Sequence, residues 1–203
     1  MRPASEVVQE LGWGRLVFGQ TFTDHNRLGE VMRAEGSGRR DNCMYLPDPH
    51  IFVSLHPQEY FIDPSHTYRI DLPAPAVTDA LAPLTRVNIR EVGSREDCEV
   101  INRIYLRCQM VPADVDVMWE NARRAPQVCY LVAVDEDTGQ VVGTVTGVDH
   151  AKLFDDPDNG SSLWCLAVDP AYTRPGVGPA LVAALIQHFA DSGRGRMDLS
   201  VMH

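Results

Sequence analysis

The chain predicts an α/β protein built on a mixed sheet, antiparallel along its first strands and parallel across its last pair. Three observations carry this expectation. From Arg86 onward, strand-like and helix-like patterns alternate, the order that gives layered α/β folds. In "VCYLVAVDEDTGQVVGTVTGVDH" two β-rich runs flank an Asp-Thr-Gly turn, the signal of an antiparallel hairpin. The apolar run "SLWCLAVDP" then leads through "TRPGVG" into an amphipathic helix and on to "RMDLSVMH", a strand–helix–strand unit with its two strands parallel.

Taken in order, residues 1–72 read as a small α+β unit. "RLVFGQTF" (Arg15–Phe22) is strand-like. Thr23 or Asp24 caps a helix that places Leu28, Val31 and Met32 on one face, and Gly36 and Gly38 end it. "CMYL", "HIFVSL" and "TYRIDL" read as short strands between Pro-Asp-Pro and Asp-Pro-Ser turns. Residues 73–85, "PAPAVTDALAPLT", rich in Pro and Ala, read as a linker. The larger unit occupies residues 86–203. Its first strand is "RVNIREV". Ser94, with Asp97 three residues on, forms a capping box for a helix burying Val100, Ile101, Ile104, Tyr105 and Cys108. "PADVDVMWENARRA" is a second, shorter helix, followed by the hairpin and a polar loop, "AKLFDDPDNGS". "SLWCLAVDP" is apolar throughout, as a central strand would be. Leu181, Val182, Leu185, Ile186 and Phe189 give the last helix its buried face, and Gly193 stops it.

Composition bounds the function. The 203 residues, 44% hydrophobic, suffice for one or two globular cores. Acidic residues outnumber basic ones by 28 to 18, a net charge of −10, which gives no electrostatic basis for nucleic acid or an anionic membrane. "RPASEVVQELGWG" after Met1 lacks the apolar core of a signal peptide, and no run approaches the roughly 18 apolar residues of a membrane span. Five cysteines, an odd number without a C-x-x-C pair, point to reduced thiols in a cytoplasmic protein. The acidic loop "FDDPDNG" lacks the alternating ligand spacing and distal Glu of a calcium loop, so no metal is expected.

The chemistry-bearing stretch is "TRPGVGPALVAAL" (Thr173–Leu185). The first amides of a helix have no partner within it, and the dipole adds positive character there; together they make an anion site. Gly176 and Gly178 permit unusual φ and close backbone approach, and Pro179 fits the first turn, where its missing N–H costs little. A purely conformational turn remains the alternative for a bare G-x-G. No G-x-x-x-x-G-K-[ST] and no G-x-G-x-x-G is present, which removes the common nucleotide loops.

The strand ending "LAVDP", followed by "RPGVGPAL" opening a helix, resembles motif A of the GNAT acetyltransferase superfamily, [Q/R]-x-x-G-x-[G/A]. Gly176 and Gly178 match its glycines; its first position falls on Thr173, with Arg174 one place late. The resemblance implies acetyl-CoA as cosubstrate. Leu166, Ala167 and Val168 would offer strand groups to the pantetheine arm, and Thr173, Arg174, Pro175, Gly176, Val177, Gly178, Pro179 and Ala180 would hold the pyrophosphate. "GWGRLVFGQTFTD", "INRIYLRCQMVPADVD", "FDDPDNGSSLWCLAVDP" and "MDLSVMH" are also similar to the N-terminal part of the bacterial N-acetylglutaminylglutamine synthetases, which join a GNAT domain to an ATP-grasp ligase and make an osmoprotectant precursor. That likeness implies transfer of acetyl to an amino group of glutamine or a glutamine dipeptide. It also implies a chain cut before the ligase and before the helix whose Tyr commonly protonates the leaving thiolate. The last strand would then have a bare edge, giving weak CoA binding and self-association through that strand. The alternative function is a non-catalytic GNAT-like docking module serving the ligase.

Acetyl transfer to an amine needs a neutral amine, a polarised thioester carbonyl and a protonated leaving thiolate. A backbone N–H around Leu166–Val168 would polarise the carbonyl. Asp149, His150 and the terminal His203 are the base candidates, with Ser200 beside them on the last strand; a solvated strand-end role is the plainer reading of Asp149 and His150. Cys165 sits mid-strand without a His motif and reads as a buried apolar thiol. Trp164 and Tyr172 read as packing residues.

Overall fold

The computed structural model describes residues 4–63, 65–81 and 86–202. It opens with β1 (Val8–Glu10), β2 (Arg15–Phe18), a 3-10 turn at Gly19–Thr21, α1 (His25–Arg33) and β3 (Asn42–Met44). β1 pairs antiparallel and β3 parallel to β2, giving a three-stranded sheet. Asp24 is the residue that caps α1, accepting from the Asn26 amide at 2.8 Å. α2 (Pro49–Leu55) covers "HIFVSL", expected as a strand. Pro at the first helical position favours the helix, and an apolar run this short carries no period that separates the two states.

β4 (Ser65–Asp71) and α3 (Pro75–Ala80) lead into the larger unit: β5 (Val87–Glu91), α4 (Arg95–Arg107), α5 (Val115–Arg124), β6 (Val128–Asp135), β7 (Val141–Asp149), α6 (His150–Phe154), β8 (Gly160–Val168), α7 (Val177–Asp191) and β9 (Arg196–Met202). The capping box of Ser94 and Asp97 is present at the start of α4. The polar loop expected after β7 begins with the short α6, capped by Asp149. Six strands form one sheet in the order β4-β9-β8-β7-β6-β5, antiparallel except for the β8–β9 pair around α7. This is the mixed α/β sheet the sequence predicts. No helix among the described residues is long and apolar enough to cross a membrane.

Two cores sandwich this sheet. On one face α7 buries Leu181, Leu185, Ile186 and Phe189 against Leu131, Val145, Leu163 and Met197. On the other, Ile101, Ile104, Tyr105 and Met118 of α4 and α5 pack on Val132 and Val148, and the same cluster includes Leu11, Trp13, Leu16 and Phe18. The boundary expected at residue 72 therefore does not divide the fold. The first strands share the second core, and β4 pairs with β9 along its whole length, from Ser65↔Met202 to Asp71↔Arg196. The segment expected as a linker carries α3, and Leu72, Ala74 and Leu81 pack against the α7 core. The bare outer edge expected for the last strand is likewise corrected. β4, from upstream in the chain, fills that flank, so unpaired groups on β9 give no reason for self-association there.

Candidate active site: a glycine cradle and a split between two strands

The cradle forms where β8 passes into α7. Gly176 is the N-cap of α7, at φ 95° and ψ −4°, with no side-chain cap. That left-handed geometry is open to glycine and strained for a residue with a Cβ. The Ala180 amide already returns to the Gly176 carbonyl at 3.0 Å, and Pro179 has no N–H. The amides of Val177 and Gly178 lead the helix, where no intrahelical acceptor exists, and the 15-residue α7 directs its dipole at them. A Cβ placed on Gly178 would meet nothing closer than Val168 Cγ2 at 4.0 Å. Internal packing does not demand glycine there, and the open space leaves room for a ligand to approach the backbone. The donor set is neutral amides at a helix start, which fits a pyrophosphate.

The loop leading into the cradle is anchored from the hairpin. Asp135 accepts from the Tyr172 hydroxyl at 2.6 Å, from the Thr138 hydroxyl and amide at 2.9 and 2.8 Å, and from Arg174 Nη1 at 3.2 Å. Its carboxyl pKa falls to about 2, with the Tyr172 hydrogen bond the leading cause and Thr138 and Arg174 adding to it. Arg174 also reaches Asp137 at 2.7 Å. Its guanidinium is thus committed to the two aspartates, while Thr173, Pro175 and the glycines form the turn between. Tyr172 is part of this anchor, not a free stacking surface.

The second feature is a split in the sheet. β9 pairs with β8 only over Gly160–Ser162, opposite Arg196–Asp198. Beyond Ser162, β8 bends. Thr144 and Thr146 of β7 face Ala167 and Trp164, so β8 holds one extra residue in that interval, and Cys165 within it has φ +49°. A bulge of this kind kinks and twists its strand, carrying β8 away from β9. Leu166, Ala167 and Val168 lie on the diverging stretch; Leu166 is exposed there and Ala167 buried. Burial pushes the Cys165 thiol up to about 12, which leaves it unreactive, and all five cysteines are free.

Where the strands part, on the face toward the first three strands, lies a cavity of about 200 Å³. Ser162 and Trp164 of β8, Asp198 and Ser200 of β9, Thr67 of β4 and Tyr45 beyond β3 are among its walls. Tyr45 donates to Asp198 at 3.0 Å, and Arg69 of β4 grips the same carboxylate at 2.7 and 3.0 Å. Thr67 and Ser200 hydroxyls are 3.2 Å apart. Ser162 Oγ lies 2.8 Å from His150 Nε2 and 2.8 Å from Trp164 Nε1. His150 is buried against Phe18, Tyr45 and Phe154, and burial lowers its pKa to about 4. It is therefore not a solvated strand-end residue, and it meets the cavity through Ser162. Asp149 is also buried, but its work is structural: it caps α6 through the Lys152 amide at 3.0 Å and lies 3.5 Å from Arg194. His203 lies outside the described residues. Sequence reasoning missed Tyr45, Arg69, Ser162 and Asp198. They are single polar residues on different elements: the β4–β9–β8 pairing brings Arg69, Asp198 and Ser162 together, and the packing of the first three strands on that sheet adds Tyr45.

The site is thus a glycine cradle at a helix start, beside a bulged central strand that parts from its parallel neighbour. The model of the Acetyltransferase (GNAT) family matches residues 98–203, more than half of the chain. The chain belongs to the GNAT acetyltransferase family. Among solved structures, the tandem GNAT protein from the clavulanic acid biosynthesis pathway aligns with TM-score 0.56 and 14% identity over 77% of this chain and 50% of that one. A Trypanosoma brucei acetyltransferase aligns at 0.45 and 18%, covering 58% and 84%. The Salmonella typhimurium protein yncA, solved with its cofactor acetyl-CoA, aligns at 0.42 and 24%, covering 54% and 66%. At 14% identity the first of these likenesses speaks for the fold alone. No curated protein matches the chain. As a GNAT acetyltransferase, the chain takes acetyl-CoA as cosubstrate, and the start of α7 at Gly176–Gly178 offers backbone amides of the kind from which a pyrophosphate accepts.

Proposed function

We propose that this GNAT protein acetylates an amino group of glutamine or a glutamine dipeptide in the cytoplasm, as the first module of an N-acetylglutaminylglutamine synthetase. The observation that carries the transfer itself is the pairing of the helix-start cradle with the split beside it. Acetyl-CoA supplies an activated acyl carbon. The Val177 and Gly178 amides bind its pyrophosphate, and the diverging stretch Leu166–Val168 lies alongside its arm. A backbone N–H in that stretch polarises the carbonyl.

The cavity supports the acceptor class. Its walls mix the side chains of Met44, Leu163 and Leu199 with hydroxyls, a phenol, an indole and a carboxylate already paired with Arg69. Such a mixed lining suits an uncharged side chain with an aliphatic stem and a hydrogen-bonding end, such as the carboxamide side chain of glutamine. The likeness of "GWGRLVFGQTFTD" and "FDDPDNGSSLWCLAVDP" to the synthetases supports the same reading. Incubation with acetyl-CoA and either L-glutamine or glutaminylglutamine, with release of free thiol followed, tests it. Thiol release with one of these and not with lysine or leucine is expected. Release with lysine or leucine in preference to both would overturn the acceptor assignment.

A further inference from the structure

His150 and Ser162 form a buried pair whose hydrogen-bond accounting can be completed. Apart from Ser162, the groups that face the imidazole are Asp156 from the loop after α6, Asp198 and Arg196 of β9, the neighbouring Asp149 and the Tyr45 phenol. Nδ1 looks toward Asp156 Oδ2 at 3.9 Å, and Nε2 toward Ser162 Oγ at 2.8 Å. With its pKa near 4, the ring is neutral at neutral pH and carries one N–H. The carboxylate beside Nδ1 favours the proton there, which leaves Nε2 as an acceptor. Ser162 then donates its O–H to Nε2. Trp164 Nε1, a donor only, fills one of the two acceptor positions on Ser162 Oγ. One acceptor position remains on the oxygen of Ser162, a buried residue in the wall of the cavity between β8 and β9.

We propose that Ser162 is the catalytic residue that receives the acceptor amine, with His150 the positioning and proton-accepting residue behind it. This rests on the acetyltransferase reading. The free lone pair of Ser162 Oγ accepts an N–H of the amine and so aims the nitrogen lone pair at the acyl carbon. As the C–N bond forms and the C–S bond breaks, the amine proton passes to Ser162 Oγ while the Ser162 proton passes to His150 Nε2. The thiolate leaves with the C–S electron pair and takes a proton from solvent; the imidazolium returns one to solvent, so protons balance. The imidazole stays unprotonated throughout the neutral range, and although so weak a base gains little driving force from its own pKa, the amine proton becomes acidic as the C–N bond forms, which is when the relay takes it.

The decisive test is the tautomer of His150, read by long-range ¹H–¹⁵N NMR on the full chain at pH 7. The proton on Nδ1, with an unprotonated Nε2 whose shift moves in Ser162→Ala, is the expected result. A proton on Nε2 would overturn the proposal, because Ser162 would then spend both acceptor positions on Trp164 and His150. Kinetics with acetyl-CoA and glutaminylglutamine form the second arm. Ser162→Ala and His150→Gln should each lose about 100-fold in kcat with unchanged affinity for acetyl-CoA, and Ser162→Thr should recover most of the rate. Wild-type kcat in Ser162→Ala would overturn the proposal. Calorimetry on the wild type separates the two levels: failure to bind acetyl-CoA removes the acetyltransferase reading, whereas an Nε2–H tautomer removes the relay alone.

Discussion

Arg69 and Asp198 face each other across β4 and β9, Nε to Oδ1 at 2.7 Å and Nη2 to Oδ2 at 3.0 Å. The carboxylate is buried and the guanidinium half exposed. Burial pushes the Asp198 carboxyl up, but Arg69 and Tyr45 outweigh it and hold it below its usual range. The pair ties a strand from the first third of the chain to the last strand, at the wall of the cavity. Arg69→Ala leaves a buried carboxylate with Tyr45 as its main support. Chemical denaturation should show a loss of about 1.5–3 kcal/mol. A change within about 0.5 kcal/mol would mean that β4 is held by its backbone ladder alone.

Asp135 should give the protein an acid-sensitive anchor. Its pKa, lowered to about 2, means that its stabilisation is complete above the ordinary carboxylate value near ~3.9 and is lost as pH falls toward 2. Thermal melts of wild type and Asp135→Asn should converge across that window and differ above it. Asp135→Asn should also weaken acetyl-CoA binding at neutral pH, because Tyr172 and Arg174 lose their common partner. Parallel melting curves from pH 7 to 2 would contradict the anchor.

His150 acts in a different range. Its folded pKa, lowered to about 4 by burial, lies below the unfolded value near ~6.5. The unfolded chain therefore binds the extra proton first, and stability falls as pH drops from about 6.5 to 4. The slope for one group reaches at most about 1.4 kcal/mol per pH unit. His150→Gln should flatten the stability profile in that window, measured by urea titration at half-unit steps. An unchanged slope would show that the folded imidazole takes up its proton as readily as the unfolded one.

The cradle predicts two contrasting substitutions. Gly178→Ala has room for its Cβ and lies in a helix, so the melting temperature should hold or rise, while acetyl-CoA affinity falls as the methyl occupies the ligand's approach. Arg174→Ala should cost tenfold or less in affinity, about 1.4 kcal/mol, because the guanidinium is spent on Asp135 and Asp137. A larger loss in Arg174→Ala than in Gly178→Ala would reverse the assignment of the phosphate contacts.

Local rules made much of this legible in the sequence. The capping box at Ser94 and Asp97, the hairpin turn anchored by Asp135 and the glycine start of α7 each lie within a few consecutive residues, and each stands where the pattern put it. α2 was not legible, because the six residues of "HIFVSL" have too few turns to show a period. α3 was hidden by its Pro and Ala content, which suits a linker and a Pro-started helix equally. The pairing of β4 with β9 joins residues more than a hundred positions apart, such as Arg69 with Asp198, and no local signal marks a partner at that distance. The acceptor side of the site inherits this. The residues proposed to hold the cofactor lie in one continuous stretch, whereas Tyr45, Thr67, Ser162 and Asp198 converge only once the two sheets have packed.

The central claim, that backbone amides at the start of α7 hold acetyl-CoA, is tested most directly by calorimetric titration of acetyl-CoA into wild type and Gly176→Val. Gly176 sits at φ 95°, which a β-branched residue adopts only at a cost of roughly 1–2 kcal/mol, so the substituted turn should move its amides off the ligand while both cores persist. Saturable binding by the wild type, with affinity in Gly176→Val lower by at least about tenfold and an unchanged circular dichroism spectrum, is the predicted result. Equal affinity in the two proteins would contradict the cradle.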